Sequence, residues 1–303
     1  MHRIVEFDSE GATLRGRLYQ WTQGSRRRPM VIMGHGFSAT ISGMVADRFA
    51  DVFYEAGFVV LLYDHRSFGI SDGTPRCEID AFRQARGYRS AIDFAAGLPG
   101  VDSDRIALWG DSLSGGAVIA AGAVDPRVAA VIAQVPACGA EAPPHDPDGS
   151  IFDSTCRPYL DTSCSKTHAA TRKGPMPVVS FDQAGTPSLL TPITAYRWFI
   201  EYGGRHGTNW VNRASVVAPA EPARWDPVLC AAHLKAPSLF VIASEDEMPG
   251  ADPEVARIAF DQAPPPKEVR EIEGGHFGLL HYPSALFDQA SGAERSFLLR
   301  HLG

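Results

Sequence analysis

The residues with the clearest chemical potential surround Ser112, in the segment Trp109–Gly116, which reads Trp-Gly-Asp-Ser-Leu-Ser-Gly-Gly. A buried strand is predicted directly before this segment and an alanine-rich helix directly after it. A serine at such a sharp strand-to-helix turn projects its hydroxyl above the sheet edge, and the crowded backbone requires small residues two positions before and after it. Gly110 and Ser114 meet that requirement. The pattern therefore predicts Ser112 as a nucleophile.

The register of this segment leaves one alternative open. Ser114 stands where the G-x-S-x-G pattern has its second glycine, and it is itself flanked by Ser112 and Gly116. Because the predicted strand ends at Trp109, a nucleophile three residues later fits the turn better than one five residues later. We predict Ser112 and keep Ser114 as the alternative.

A serine hydroxyl is a weak nucleophile at neutral pH and needs a general base that is oriented by an acid. His276 lies in a glycine-bracketed loop directly after the last predicted strand. The loop after the preceding strand holds three neighbouring carboxylates, of which Asp246 is the middle one. We predict His276 as the base and Asp246 as the acid, with Glu245 and Glu247 as alternatives for the acid.

The negative charge that develops on an attacked carbonyl also needs hydrogen-bond donors. The segment Gly34–Ser38 follows a predicted strand and can turn backbone N–H groups toward Ser112. We predict that the oxyanion hole consists of the N–H groups of Phe37 and Leu113. His35, in the same segment, is interpreted as a structural hydrogen-bonding residue and not as a second base.

Short apolar runs rich in branched residues recur along the chain, each followed by a helix-like stretch. Continuous runs of this kind are typical of parallel strands that are covered on both faces. The predicted strands are Pro29–Met33, Val59–Tyr63, Arg105–Trp109, Ala129–Ala133, Ser238–Ile242 and Glu268–Ile272. The predicted helices are Met44–Glu55, Phe82–Ala96, Gly115–Val124, Pro253–Gln262 and Ala285–His301. With an antiparallel hairpin from Ile4–Phe7 and Leu14–Tyr19, this order predicts a doubly wound α/β sheet with its ligand site at the carboxyl ends of the strands.

The alternation of strands and helices stops between residues 138 and 225. We predict that residues 138–225 form a cap or lid, inserted into a core of residues 1–137 and 226–303. The aromatic stretch Tyr196–Trp210 is interpreted as packing within the cap, with an apolar wall for a substrate as the alternative. Eight acidic and eight basic residues leave the cap neutral. We expect the arginines of the cap to lie on the solvated surface, with binding of a substrate carboxylate as the alternative. These arginines are Arg157, Arg172, Arg197, Arg205 and Arg213.

Four segments carry a resemblance to a known family, namely Gly34–Phe37, Tyr63–Gly73, Gly110–Gly116 and Gly274–Phe277. Together with the chain order serine, aspartate, histidine, they resemble the α/β-hydrolase superfamily, and more narrowly the bacterial esterases related to dienelactone hydrolases. The resemblance implies a mostly parallel eight-stranded sheet with helices on both faces, a cap after the sixth strand, and hydrolysis of an acyl bond without a cofactor. Members often carry G-x-S-x-S-G-G. Dienelactone hydrolases proper use cysteine as the nucleophile, so the serine in this chain departs from their pattern.

Composition excludes several other classes of protein. The 303 residues include 28 basic and 35 acidic ones, a net charge of −7, and are 45% hydrophobic, so the chain is neither disordered nor suited to nucleic acid. No secretory signal or membrane-spanning segment is recognised, which favours a cytoplasmic protein.

The five cysteines show no C-x-x-C pair and are expected to be free thiols, with a Cys156–Cys164 bridge as the alternative. We expect no metal, no cofactor, no membrane partner and a possible homodimer.

The expected function is that of a serine hydrolase, similar to carboxylesterases, which cleaves a small and fairly hydrophobic ester through an acyl-enzyme. Two alternatives remain. The same triad could act on a thioester, lactone, amide or carbon–carbon bond, or the fold could serve as a binding module without catalysis.

Overall fold

The computed structural model describes residues 2–21, 27–161 and 169–303. The elements are, in chain order, β1 (His2–Ser9), β2 (Ala12–Tyr19), β3 (Arg28–Gly34), α1 (Ala46–Glu55), β4 (Val59–Tyr63), β5 (Glu78–Ile79), α2 (Ala81–Ala96), β6 (Val101–Asp111), α3 (Leu113–Val124), β7 (Val128–Gln134), α4 (Ser150–Thr155), α5 (Arg157–Asp161), β8 (Ala169–Met176), α6 (Ile193–Gly203), β9 (Ala214–Pro219), α7 (Pro227–Ala231), β10 (Ser238–Ala243), α8 (Pro253–Gln262), β11 (Lys267–Ile272), α9 (His276–Leu279) and α10 (Ala285–Leu302).

The large sheet has eight strands in the order β1-β2-β4-β3-β6-β7-β10-β11. β2 pairs antiparallel with both β1 and β4, and the remaining neighbours pair in parallel. The order reverses around β3, so the connections place helices on both faces of the sheet. The predicted fold class, a mostly parallel eight-stranded α/β sheet, is confirmed.

The central strands contain continuous apolar runs, such as Met30–Met33 and Ile106–Trp109, because both of their faces are covered. In β3, Met30 and Ile32 pack into one core cluster while Val31 and Met33 pack into another on the opposite face. β4 and β6 alternate in the same way, and all of these side chains are buried. The first cluster contains residues of α2, α3 and α8, and the second contains residues of α1 and α10. This packing explains why the strands appear in the sequence as unbroken hydrophobic runs.

The segment between β7 and β10 contains elements that the sequence did not reveal. β8 and β9 pair antiparallel, and β9 pairs in parallel with the two-residue strand β5, which gives a second sheet in the order β5-β9-β8. Because β5 comes from a distant part of the chain, no local sequence pattern indicates this sheet. α6 is the longest helix among the described residues of this segment.

Four of the five cysteines lie within the described residues, and Cys77, Cys138, Cys156 and Cys230 form no disulfide with one another. Cys164, and with it the Cys156–Cys164 alternative, lies outside the described residues. Among the described helices, none combines the length and the hydropathy needed to cross a bilayer.

Candidate active site

Ser112 occupies the sharp turn between β6 and α3 and has φ 55° and ψ −119°. A non-glycine residue with these backbone angles is strained by about 1–3 kcal/mol, and the conformation persists only where the surrounding structure enforces it. A Cβ on Gly110 would lie 2.2 Å from the carbonyl oxygen of Ser114, and one on Gly36 would lie 2.8 Å from the Cβ of Ser112. Glycine is therefore required at position 110 before the turn and at position 36 in the neighbouring loop after β3. Ser112 lines a pocket, which we call the acyl pocket.

Ser114 has a different environment, since its side chain is fully buried and does not line the pocket. Its hydroxyl donates to the carbonyl oxygen of His35 at 2.6 Å and lies 2.7 Å from Nε2 of His65. Because the single hydroxyl proton is used on His35, the His65 ring must donate from Nε2. Burial lowers the pKa of His65 well below its usual value, which is consistent with that neutral ring. The geometry favours Ser112 over Ser114 as the nucleophile.

His276 is the first residue of α9 and also lines the pocket. Its Nδ1 lies 2.7 Å from Oδ2 of Asp246, and both side chains are only 2% exposed. The other oxygen of Asp246 accepts from the backbone N–H of Met248 at 2.9 Å, so the carboxylate is fixed by its own loop. An Nδ1–H donated to Asp246 leaves Nε2 of the neutral ring as the atom that can accept a proton.

The other two candidate acids have different roles in the structure. Oε2 of Glu247 accepts from the backbone N–H of His276 at 2.8 Å, and a Cβ on Gly275 would lie 2.4 Å from that oxygen. Glu247 thus holds the backbone of the histidine loop rather than the imidazole. Glu245 is exposed to solvent. Of the three carboxylates, Asp246 is the one that contacts the ring of His276.

The loop after β3 places Phe37 beside Ser112 at the pocket. Within the described residues, the N–H groups of Phe37 and Leu113 donate no hydrogen bond. Unpaired backbone donors beside a serine in one pocket are what an oxyanion hole requires.

Asp64, directly after β4, connects the loop after β3 to the turn around Ile70 through hydrogen bonds. Oδ1 accepts from the backbone N–H of Ile41 at 2.9 Å and lies 3.1 Å from Nε2 of His35, and Oδ2 accepts from the N–H of Ile70 at 2.9 Å. A Cβ on Gly69 would lie 2.0 Å from Oδ2, so the close approach of that turn needs glycine. His35 is buried and bonded to Asp64, which fits the structural role expected for it.

Two buried carboxyl groups, those of Asp111 and Glu294, lie close to the turn that holds Ser112. Burial raises the pKa of Asp111, the residue before Ser112, to about 6, although His35 and His276 partly oppose the shift. Burial also raises the pKa of Glu294 well above its usual value, and Nε1 of Trp109 donates to this carboxyl at 3.0 Å. Asp111 lines the pocket, and its Oδ1 has no partner among the described residues.

The pocket has a volume of about 350 Å³, and most of its walls are apolar. The segment between β7 and β10 contributes a large share of them, including Leu189, Leu190, Trp198, Phe199 and Trp225. Trp198 and Phe199 belong to the aromatic stretch for which a substrate wall was the alternative interpretation. No lysine or arginine lines the described part of this pocket. Among the described residues, no cluster of three or more His, Cys, Asp or Glu side chains could hold a metal ion.

The sheet order, the strained serine at the β6–α3 turn and the histidine after the last strand define an α/β hydrolase. The chain belongs to the α/β-hydrolase superfamily. Residues 25–174 match the family model described as Hydrolase_4, serine aminopeptidase, S33. The chain is 30% identical to the polyketide transferase claH of Penicillium crustosum over 309 residues, which cover 99% of this chain and 97% of the relative.

Two further proteins are similar over most of the chain. A thiohydrolase of Eupenicillium brefeldianum is 29% identical over 285 residues, covering 91% of this chain and 87% of the relative. The crystal structure of the α/β hydrolase GrgF from Penicillium sp. sh18 matches with a TM-score of 0.74 and 27% identity, covering 100% of this chain and 99% of that one. The similarity extends over the whole length of the chain, including residues 138–225.

Proposed function

We propose that the protein is a serine hydrolase that cleaves the ester of a hydrophobic acyl group through an acyl-enzyme. The observation that carries the proposal is that Ser112 and His276 line one pocket, while Nδ1 of His276 lies 2.7 Å from Oδ2 of Asp246. A nucleophile and a base in one pocket, with an acid that orients the base, are the minimum set for acyl transfer to serine.

The proposed reaction has two halves. Nε2 of His276 takes the proton of Ser112 as the hydroxyl oxygen attacks the carbonyl carbon, and the amides of Phe37 and Leu113 stabilise the oxyanion. His276 then donates the proton to the departing alcohol, which leaves an ester between Ser112 and the acyl group. Water, deprotonated by the same ring, attacks this ester, and the ring returns the proton to the oxygen of Ser112 as the acid is released. Asp246 stabilises the imidazolium in both halves.

The walls of the pocket support a hydrophobic acyl group as the substrate. Apolar side chains surround Ser112, and no cationic side chain of the described residues is available there to hold a carboxylate. Residues 138–225 supply Trp198, Phe199 and Trp225, which supports the interpretation of this segment as a cap over the acyl site.

A thioester is the second candidate substrate, because a relative with similar coverage is named a thiohydrolase. The same serine, base and oxyanion donors would serve both bonds, since the attacked group is a carbonyl in each. The molecule that takes the acyl group from Ser112 could be an alcohol instead of water, because another relative is named a polyketide transferase.

The test is a matched panel of oxyesters and thioesters that share one acyl chain, measured with the wild type and Ser112→Ala. We expect turnover of at least one series and a loss of at least about 10³-fold in kcat for Ser112→Ala. The ratio of kcat/KM between the two series identifies the preferred bond. Full turnover by Ser112→Ala would overturn the proposal, and absence of turnover in every series would favour a binding module.

A further inference from the structure

A second cavity lies on the reverse side of the oxyanion loop. The volume of this cavity is about 500 Å³. In the oxyanion loop, Ser38 and Thr40 line the second cavity, whereas Phe37 and Ala39 line the acyl pocket that contains Ser112. Nε1 of Trp210 donates to Oγ of Ser38 at 3.4 Å.

Three arginines line this second cavity, and they come from separate parts of the chain. Arg76 lies in the turn before β5, Arg172 on β8 and Arg213 directly before β9. No aspartate or glutamate lines the described part of the cavity. The whole chain has a net charge of −7, so this cluster is a local reversal of its overall charge.

The charges of two of these arginines are not neutralised by an ion pair within the described residues. Arg76 donates to the carbonyl oxygens of Ser71 and Gly69, which fix its position without cancelling its charge. Arg172 pairs with Glu78, whereas Arg213 forms no ion pair among the described residues. Planar guanidinium groups converging on a cavity are suited to oxygen atoms of a phosphate or carboxylate.

We propose that this cavity binds a small oxyanion, a phosphate or carboxylate group, through Arg76 and Arg213. The hydroxyls of Ser38 and Thr40 and the amide of Asn209 line the same space and supply neutral hydrogen-bond groups for it. The anion would lie against the side of the oxyanion loop that faces away from the acyl pocket. The site does not depend on the proposed reaction and is tested by binding.

The first experiment titrates inorganic phosphate into the wild type by calorimetry, at low ionic strength and in a buffer without phosphate. Arg213→Gln is the informative variant, because this side chain forms no hydrogen bond or ion pair with the described residues. Arg270→Gln is the matched control, an exposed arginine on the edge strand β11 of the large sheet. We expect phosphate to bind the wild type and Arg270→Gln equally and Arg213→Gln about tenfold more weakly, as for loss of one charge-assisted contact.

Cys77 provides an independent readout, since it lines the same cavity and is the least buried of the described cysteines. Its alkylation by anionic iodoacetate and neutral iodoacetamide can be followed by mass spectrometry of the Cys77 peptide. Relative to N-acetylcysteine, we expect the iodoacetate-to-iodoacetamide rate ratio to be about threefold higher or more in the wild type, and to fall in Arg213→Gln. Phosphate should protect Cys77 in the wild type.

The source of the anion is identified by a pair of esters with one acyl chain, whose leaving groups carry either a carboxylate or its neutral amide. A preference for the carboxylate ester that disappears in Arg213→Gln assigns the site to the substrate, and no preference together with phosphate binding assigns it to a free anion. Equal phosphate affinity in the wild type and Arg213→Gln, no binding at all, or a Cys77 rate ratio equal to that of N-acetylcysteine would overturn the proposal.

Discussion

The hydroxyl of Ser114 donates to the carbonyl oxygen of His35 at 2.6 Å, a contact that joins the nucleophile turn to the oxyanion loop. The serine that breaks the G-x-S-x-G pattern thus connects the two segments whose relative position sets the distance between nucleophile and oxyanion donors. Nε2 of His65 lies 2.7 Å from the same hydroxyl and completes a buried three-membered network.

Restoring the consensus with Ser114→Gly should therefore impair the enzyme. Loss of the hydroxyl leaves the His35 carbonyl and the His65 ring buried without a partner, at about 1–3 kcal/mol for each unsatisfied group. We expect a lower free energy of unfolding in urea and a reduced kcat. Ser114→Ala, which keeps the Cβ, should behave similarly. A Ser114→Gly protein as stable and active as the wild type would show that the hydroxyl network has no role.

The three neighbouring carboxylates should differ sharply on substitution. Asp246→Asn should lower kcat by about 10³–10⁴-fold, because the amide no longer stabilises the imidazolium or its correct tautomer. Glu247→Gln should have a smaller effect, since Glu247 accepts from the backbone N–H of His276 and does not contact its ring. Glu245→Ala, at an exposed position, is the control and should match the wild type. Initial rates on one ester decide the order, and a larger loss from Glu247→Gln than from Asp246→Asn would contradict it.

Stability should depend on the charge of Asp111. Because burial raises its folded-state pKa from 3.8 to about 6, the folded state binds this proton more tightly than the unfolded state. The contribution to stability is fully present below pH 3.8 and is lost as the pH rises through about 6, and two pKa units correspond to roughly 3 kcal/mol. Asp111→Asn should therefore gain stability relative to the wild type between pH 4 and pH 8. Urea unfolding at both values measures this, and a difference that does not change with pH would refute it.

The wall formed by residues 138–225 should limit the length of the acyl group. Leu190 lines the pocket and is partly exposed, so a larger side chain there can extend into the 350 Å³ space. Leu190→Trp should lower kcat/KM for an octanoyl ester about tenfold or more relative to an acetyl ester, from the loss of several buried methylene groups. Ile200→Trp, at a position on α6 that is 44% exposed, is the control and should leave the ratio unchanged. Equal losses on both esters would place the acyl chain elsewhere.

Much of the fold could be predicted because the buried strands are covered on both faces and leave continuous apolar runs such as Val59–Tyr63. The turn around Ser112 was also visible, since the close approach at Gly110 admits no side chain. The roles of Asp246 and Glu247 could not be separated by spacing, because both side chains reach the same histidine, one at the ring and one at the backbone. Nothing local revealed the small sheet, whose strands pair across distant segments. The convergence of Arg76 and Arg213 was hidden for the same reason, and the neutral total charge of residues 138–225 concealed it further.

The most direct test of the central claim is labelling with a fluorophosphonate, which forms a covalent adduct with an activated serine, followed by peptide mapping. The proposed mechanism predicts one adduct, on Ser112, at a rate that falls with Asp246→Asn. Ser112→Ala should not be labelled, whereas Ser114→Ala should still be labelled at Ser112. An adduct on Ser114, or no adduct on a protein that hydrolyses esters, would contradict the assignment of Ser112 as the nucleophile.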